Sequence, residues 1–180
     1  MMRYSQMRKM DISNGAGLGV SLFVSGCDLH CPGCFNQVTW DFKNGSEWTL
    51  ETEDQFMRLA DRDFISRISI LGGEPLADHN VAEVRMLLTH LKEHFGDRKK
   101  IWLYTGRKFE DIISKANESS QDRLRYDCLT LADILVDGPY IHDLRDLNLK
   151  YRGSANQRVI SLNNSLQSGD IKLLYTSSTN

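Results

Sequence analysis

Three of the chain's four cysteines fall in one short stretch, Cys27-Asp-Leu-His-Cys31-Pro-Gly-Cys34, and the fourth, Cys128, stands alone. A cluster spaced C-x3-C-x2-C reads as a metal or redox site before it reads as a disulfide framework. Three thiolates on one loop can hold three corners of an iron–sulfur cube or three positions of a zinc tetrahedron. Closed sites of either kind take four protein ligands. His30 is adjacent to Cys31 and would have difficulty converging on the same metal. Cys128, between Tyr126 and Leu129, reads as a core thiol. Iron–sulfur is the favoured reading of the bare motif, with zinc and unligated thiols left open. A metal held by three thiolates keeps an open coordination position, which is a catalytic arrangement.

The elements that must position these residues alternate between short β-branched runs and amphipathic patterns. Residues 20–24 (VSLFV) read as a buried strand, and the cysteines follow it. Residues 65–71 form a second strand, ending at Gly72-Gly73-Glu74-Pro75. A third, 101–104, runs into Thr105-Gly106, and a fourth, 134–136, closes at Asp137-Gly138-Pro139. Thr52 with Gln55 resembles a capping box that opens a helix with Phe56, Leu59 and Ala60 on one face. Asn80 with Glu83 resembles another, opening a stripe of Val81, Val84, Leu87, Leu88, Leu91 and Phe95. Phe109, Ile112 and Ile113 mark a further helix, and residues 124–131 a short one. Strands are expected at 158–162 and 171–175, then a frayed tail over 176–180.

Such alternation implies right-handed crossovers and a mainly parallel sheet. The units are too few for an eight-fold barrel of about 250 residues. The expected fold is therefore α/β, as a partial, open β/α barrel or an open sheet. Parallel strands point their carboxyl ends the same way, so the four groups should line one rim and make a single site.

Composition narrows the class. A length of 180 residues suggests one domain, read as 1–180 with its core over about 10–160 and a C-terminal tail over 161–180. Hydrophobic residues at 41% and charged residues at 26% argue against disorder. A net charge of −2 offers no basic field for nucleic acid or anionic membrane. The N-terminal MMRYSQMRKMDIS lacks the apolar run of a signal peptide, and no stretch approaches the roughly 18 apolar residues of a membrane span. The expectation is a soluble cytoplasmic protein with no direct nucleic-acid or membrane contact.

With Phe35 directly after Cys34, the cysteine motif resembles that of the radical S-adenosylmethionine (SAM) superfamily, and Gly72-Gly73-Glu74 is similar to that superfamily's GGE motif. The segments NGAGLGVSLFVSGCDLHCPGCFNQVTW, ISILGGEPLADHN, IWLYTGRKFEDI, DILVDGPY and RGSANQR narrow the resemblance to the activating proteins of anaerobic ribonucleoside-triphosphate reductase. It runs from about Met10 to Arg158. RGSANQR separates this group from other glycyl-radical activases, such as that of pyruvate formate-lyase. The stretch 118–126 is longer than the group's pattern, and the region after Arg158 carries no signature of it.

The resemblance implies a radical SAM-type barrel and an oxidoreductase that activates a partner. Cys27, Cys31 and Cys34 would ligate three irons of a [4Fe–4S] cluster. The fourth iron would be left to the amino and carboxylate groups of SAM, which explains why three cysteines suffice. An electron from the reduced cluster would break the S–C5′ bond, giving methionine and a 5′-deoxyadenosyl radical. That radical would take a hydrogen atom from a backbone glycine of the reductase's catalytic subunit, storing a glycyl radical there. Gly72 and Gly73 would let the backbone approach the methionine moiety, their peptide groups together with Glu74 would hold its amino group, and Pro75 would stiffen the turn. Phe35 would cover the adenine, and Thr105 and Asp137 would face SAM as ribose or cation contacts. A donor such as flavodoxin would supply the electron. The alternatives are an activase of another glycyl-radical enzyme and a non-catalytic zinc or iron–sulfur module. The module needs a fourth ligand that the sequence does not offer, and it leaves 72–75 unexplained.

Other features have plainer readings. NGAGLG (14–19) does not fit GxGxxG and precedes a strand, so it reads as a tight turn. Gly138 and Pro139 read as a turn, and His30 as a residue that packs or shields. Arg152, Asn156, Gln157 and Arg158 alone read as a solvated loop; the resemblance turns them toward SAM or the reductase. Trp40 and Trp48 fit a partner-facing lobe or ordinary packing equally well.

Overall fold

The computed structural model describes residues 1–176. Its elements, in chain order, are β1 (Arg3–Asp11), β2 (Gly19–Val24), β3 (Ser46–Glu47), α1 (Leu50–Ala60), β4 (Arg67–Gly72), α2 (Val81–Phe95), β5 (Lys100–Tyr104), α3 (Phe109–Ser114), α4 (Ser120–Leu131), β6 (Ile134–Asp137), β7 (Arg158–Ser161) and α5 (Leu162–Ser168). They build one sheet in the order β3-β1-β2-β4-β5-β6-β7. The four central strands pair in parallel, while β1 and β3 on one side and β7 on the other are antiparallel. The class is mixed α/β with a parallel centre, as the strand–helix alternation suggests. The sheet is open, with β3 and β7 at its edges.

Period-two alternation gives the sheet two different faces. Val20, Leu22, Val24, Ile68, Ile70, Ile101, Leu103, Leu135 and Ile160 join the main core with the apolar stripes of α1, α2, α4 and α5. The intervening residues face the other way. Phe23 pairs with Leu71, and Tyr104 with Val136 and through it Val159, forming a row just below the strands' carboxyl ends. Beside this row is a smaller cluster of Trp102, Val136 and Val159 packed with Tyr104, Tyr151 and Tyr175.

The sequence reading missed β1. Its residues, RYSQMRKMD, lack an apolar alternation; the strand pairs antiparallel with β2, Tyr4 and Met7 pack on the core, and its far end is tied by polar contacts from a distant residue. Arg67 is fully buried and donates to the carbonyls of Asn14 and Asp11. The Asp11 carboxylate accepts from Ser13 N, Asn14 Nδ2 and Ser21 Oγ. Burial pushes the Asp11 carboxyl up, but the hydrogen bonds from Ser21, Asn14 and Ser13 and the Arg67 charge hold it below the ordinary carboxylate range. NGAGLG is a turn wrapped on this arginine. A Cβ at Gly15, whose φ is +130°, would lie 2.4 Å from Arg67 Cδ.

Four other expectations need correction. α1 starts before Thr52, because the extended Thr49 is the N-cap and accepts from Thr52 N at 3.2 Å. Asn80 precedes α2 but makes no cap bond: its Nδ2 donates to the carbonyls of Ser25 and Glu74, and its Oδ1, the atom a cap would use, is buried without a partner. Residues 171–175 form no strand, only an isolated Ile160–Leu173 bridge. The segment read as a tail contains α5, where Leu162 and Ser165 are buried. Of the frayed tail expected at 176–180, residues 177–180 lie outside the described residues. Among the described residues, no helix is long and apolar enough to cross a membrane.

Thr49→Ala should lower the unfolding free energy by about 1 kcal/mol while Thr49→Ser retains it, as read from urea unfolding midpoints. Equal midpoints for wild type and Thr49→Ala would remove Thr49 as the cap.

Candidate active site

A cleft of about 730 Å³ opens on the sheet face away from the helices, at the carboxyl ends of the parallel strands. Cys27, Cys31 and Cys34 line it, together with Gly72, Gly73 and Glu74, then Thr105 and Gly106, then Gly138. Three of the four expected strand-end groups line this rim, and after β6 it is Gly138 and not the expected Asp137 that does so.

The cysteine loop leaves β2 and is fixed by the segment that returns from it. Gly26 N donates to Thr39 O at 2.7 Å and Cys27 N to Trp40 O at 3.0 Å. His30 turns the loop with φ +46° and packs on Trp40 with ring centroids 4.8 Å apart, in keeping with a packing role. Cys34 N donates to Cys31 O at 3.1 Å, and the Cys34 Sγ accepts from Asn36 N at 3.4 Å. Cys27 is buried, whereas Cys31 and Cys34 are half-buried. Burial pushes the Cys27 thiol up, so a bare thiolate is disfavoured there. Cys128 is fully buried, and its thiol too is pushed up by burial. It is a core residue.

The two glycines after β4 are required by close approach. A Cβ on Gly72, at φ +115°, would lie 2.6 Å from Val24 O, and one on Gly73 2.3 Å from Gly26 O. Gly73 N donates to Val24 O at 2.9 Å and Glu74 N to Gly26 O at 2.8 Å. These amides therefore bind the end of β4 to the cysteine loop. Glu74 is 1% exposed. Its Oε1 accepts from Leu76 N at 2.9 Å and from Thr105 Oγ1 at 2.7 Å, and its Oε2 from Gly106 N at 2.8 Å. Burial raises its pKa despite those donors. Asn80 Nδ2 donates to Ser25 O and Glu74 O, each at 3.0 Å.

The remaining sequence-expected residues are distributed unevenly. Thr105 lines the cleft, but its hydroxyl is committed to Glu74. Pro75 is buried behind the rim. Phe35 is 77% exposed at the mouth, edge-on to Tyr140 at 6.2 Å. Asp137 is fully buried, and its carboxylate accepts from Phe109 N at 2.8 Å and Arg158 Nε at 2.9 Å. Arg158 also reaches both Glu110 oxygens, at 2.8 and 2.7 Å, and these bonds hold the Glu110 carboxyl down to about 2. Asp137 joins β6 to α3 and β7 and is not brought into the cleft.

RGSANQR is largely a knot. Gln157 Oε1 accepts from Gly153 N and Ser154 N, and Gln157 Nε2 donates to Gly138 O at 3.0 Å. Asn156 Nδ2 donates to Pro139 O at 2.7 Å. These bonds fold the loop between β6 and β7 over the cleft. Arg8, Tyr104 and Tyr151 also line the cleft but were missed, because only strand register and loop closure bring them there, and Trp40, read as partner-facing or packing, lines it too.

The chemistry of the donor set fits an iron–sulfur cluster. Among the described residues, no three histidine, cysteine or carboxylate side chains are gathered as a set for a single metal ion. Three cysteines on one cleft are donors of the type iron–sulfur clusters use.

Residues 13–160 match the family model described as a 4Fe-4S single cluster domain. The chain is 36% identical over 160 residues to the anaerobic ribonucleoside-triphosphate reductase-activating protein of Escherichia coli (strain K12), covering 88% of this chain and 97% of that protein. It is 38% identical over 158 residues to the protein of that name in Vibrio cholerae serotype O1, with 87% and 96% covered. Its identity to the Enterobacteria phage T4 protein of that name is 36% over 160 residues, with 89% and 94% covered.

Asn80→Ala should cost about 2 kcal/mol in urea unfolding, because it strips a donor from two buried carbonyls. Glu74 gives a pH test. It holds its proton above its ordinary value of 4.5, so the folded chain binds more protons there than the unfolded chain. Its contribution to stability therefore falls as pH rises above about 4.5. The stability gap between wild type and Glu74→Gln should move in that direction from acid to neutral pH; a constant gap would contradict the assignment.

Proposed function

The chain belongs to the family of anaerobic ribonucleoside-triphosphate reductase-activating proteins, and from that premise we propose that it is a radical SAM enzyme that generates a glycyl radical on such a reductase. The observation that carries the reading is the meeting of three cysteines with the Gly72-Gly73-Glu74 turn on one cleft. Cys27, Cys31 and Cys34 would hold three irons of a [4Fe–4S] cluster. When bound, the cluster and SAM together supply a one-electron cleavage of the S–C5′ bond, yielding the 5′-deoxyadenosyl radical that takes hydrogen from the partner's glycine.

The chain's own residues do the positioning. Asn36 N–H, directed at Cys34 Sγ, offsets negative charge on that sulfur. Gly72 and Gly73 keep the rim free of side chains where methionine would lie, and Glu74 and Thr105 lock each other beneath it. Phe35 at the mouth is placed to cover an adenine. Asp137 acts through Arg158, as a positioning residue with no contact to SAM. An incomplete barrel formed by this sheet would leave one side open to a partner's glycine loop. A low-potential donor such as flavodoxin, a cytoplasmic location and a single domain complete the proposal.

Anaerobically reconstituted protein given dithionite and SAM should release 5′-deoxyadenosine, measured by chromatography, and with the reductase should produce a glycyl radical detected by electron paramagnetic resonance. Cys27→Ala, Cys31→Ala or Cys34→Ala should each abolish both, while Cys128→Ala should retain them. Loss of the cluster in Cys128→Ala alone would overturn the ligand assignment. A reducible cluster that gives no 5′-deoxyadenosine even with the reductase present would overturn the radical SAM reading.

A further inference from the structure

The two halves of the cysteine loop are anchored differently. Residues 27–30 are tied to the strand ends. Arg107 meets Asp28 at 2.5 Å, and Leu29 closes on Gly106, where an added Cβ would lie 2.4 Å from Leu29 Cδ1. Residues 31–35 make local hydrogen bonds, from Cys34 N to Cys31 O and from Asn36 N to Cys34 Sγ. Against this second half packs the loop between β6 and β7. The packing is centred on Gly33, which has φ +75°. A Cβ there would lie 2.8 Å from His142 Nδ1, 3.0 Å from its Cγ and 3.1 Å from its Cβ. The imidazole thus rests on bare backbone between Cys31 and Cys34, an approach that a side chain at position 33 would block.

His142 is itself held from behind. The Tyr140 hydroxyl lies 3.3 Å from its Nδ1. Ile141 N donates to the buried Ser154 Oγ at 3.2 Å and Ala155 N to Leu144 O at 2.8 Å, so the short turn His142–Leu144 is tied to RGSANQR. A second contact repeats the arrangement one step along. Tyr140 meets Phe35 edge-on, and a Cβ on Gly153 would lie 3.3 Å from Tyr140 Cδ2 and 3.5 Å from Phe35 Cε1. Contacts at Gly33 and Phe35 therefore clasp the second half of the cysteine loop to the cover of the cleft. His142 is otherwise exposed, so replacing it leaves the core intact.

We propose that His142 is a positioning residue for the iron–sulfur cluster: resting on Gly33, it holds the β6–β7 loop over the Cys31–Cys34 side and limits the water that reaches the cluster there. The proposal rests on the cluster assignment in the activase reading and extends it to how the cluster's potential is set. Cys27 is buried whereas Cys31 and Cys34 are half-buried, so this is the side where a change of cover alters exposure. Reduction adds a negative charge to the cluster, and water stabilises charge. A covered cluster therefore has a lower potential than an exposed one. With the loop closed the reduced cluster is the stronger electron donor; with it open the cluster is easier to reduce. The imidazole acts as cover and not as charge, because it presents its Cβ, Cγ and Nδ1 to Gly33, and Nδ1 is engaged by Tyr140.

The test is the midpoint potential of the cluster in the reconstituted full-length protein without SAM, from an anaerobic redox titration read by electron paramagnetic resonance. His142→Ala should raise it, so that the reduced-to-oxidised ratio at a fixed potential increases roughly threefold. His142→Phe keeps a ring on Gly33 and should hold the wild-type value. Cluster loss to a chelator, followed by absorbance, should be faster in His142→Ala and unchanged in His142→Phe. A potential unchanged in His142→Ala would overturn the proposal, whether or not cluster loss accelerates. It would also fall if His142→Phe shifted the potential as far as His142→Ala, which marks a charge or a hydrogen bond as the cause. If His142→Ala holds no cluster, Tyr140→Phe carries the test. That variant releases the imidazole while keeping a ring against Phe35, and it should raise the potential by a smaller amount; no shift would overturn the proposal. Formation of 5′-deoxyadenosine by wild type given SAM tests the activase reading separately, since the potentials are measured without it.

Discussion

A carboxylate buried to 1% exposure must be surrounded by donors or be neutralised, and the arrangement of this protein's rim follows from how Glu74 meets that demand. Its donors come from its own turn and from the segment after β5, so satisfying one side chain fixes two strand ends relative to each other. The tie continues in both directions. On one side, Asn80 joins Glu74's carbonyl to that of Ser25, just before the cysteines. On the other, Thr105 N donates to Val136 O and Gly138 N to Arg107 O, each within 3.0 Å. The cysteine loop, the glycine turn and the strand ends beyond them are thus one connected polar frame.

That frame is supported from one side only. The helices pack their apolar stripes against alternate residues of the central strands, which leaves the opposite residues facing the cleft. Here the cover on the second face is the loop between β6 and β7, held by side-chain amides and by the packing of Tyr151 on Trp102 in the smaller apolar cluster. The two faces of the sheet thus carry different kinds of cover, helices on one and a loop on the other.

How much of this was legible in the sequence depended on whether the signal was local. The central strands and the stripe of α2 were readable because apolar periodicity is a property of neighbouring residues. The strand-end groups were readable for the same reason, since each follows its strand directly, and motif resemblance supplied their chemistry. What escaped was polar and long-range. Asn80 looked like a cap because Glu83 follows it, but its amide is committed to carbonyls of residues 25 and 74. Asp137 looked like a ligand contact because of its place after β6, while its partner Arg158 stands 21 residues on. The strand β1 has no apolar pattern to reveal it, because Arg67 secures it from 56 residues away.

Arg67 also sets an order of assembly. During synthesis the first strand and its glycine-rich turn leave the ribosome well before β4 exists. The turn is moulded on a guanidinium that has yet to be made. The earliest segment can pair transiently with β2 as a hairpin, but Asp11 and Asn14 gain their shared cation only after α1 has been made and β4 has docked in parallel. Closing so distant a contact costs chain entropy that local pairing does not repay. The turn between β1 and β2 therefore gains its final hydrogen bonds only once β4 is in place.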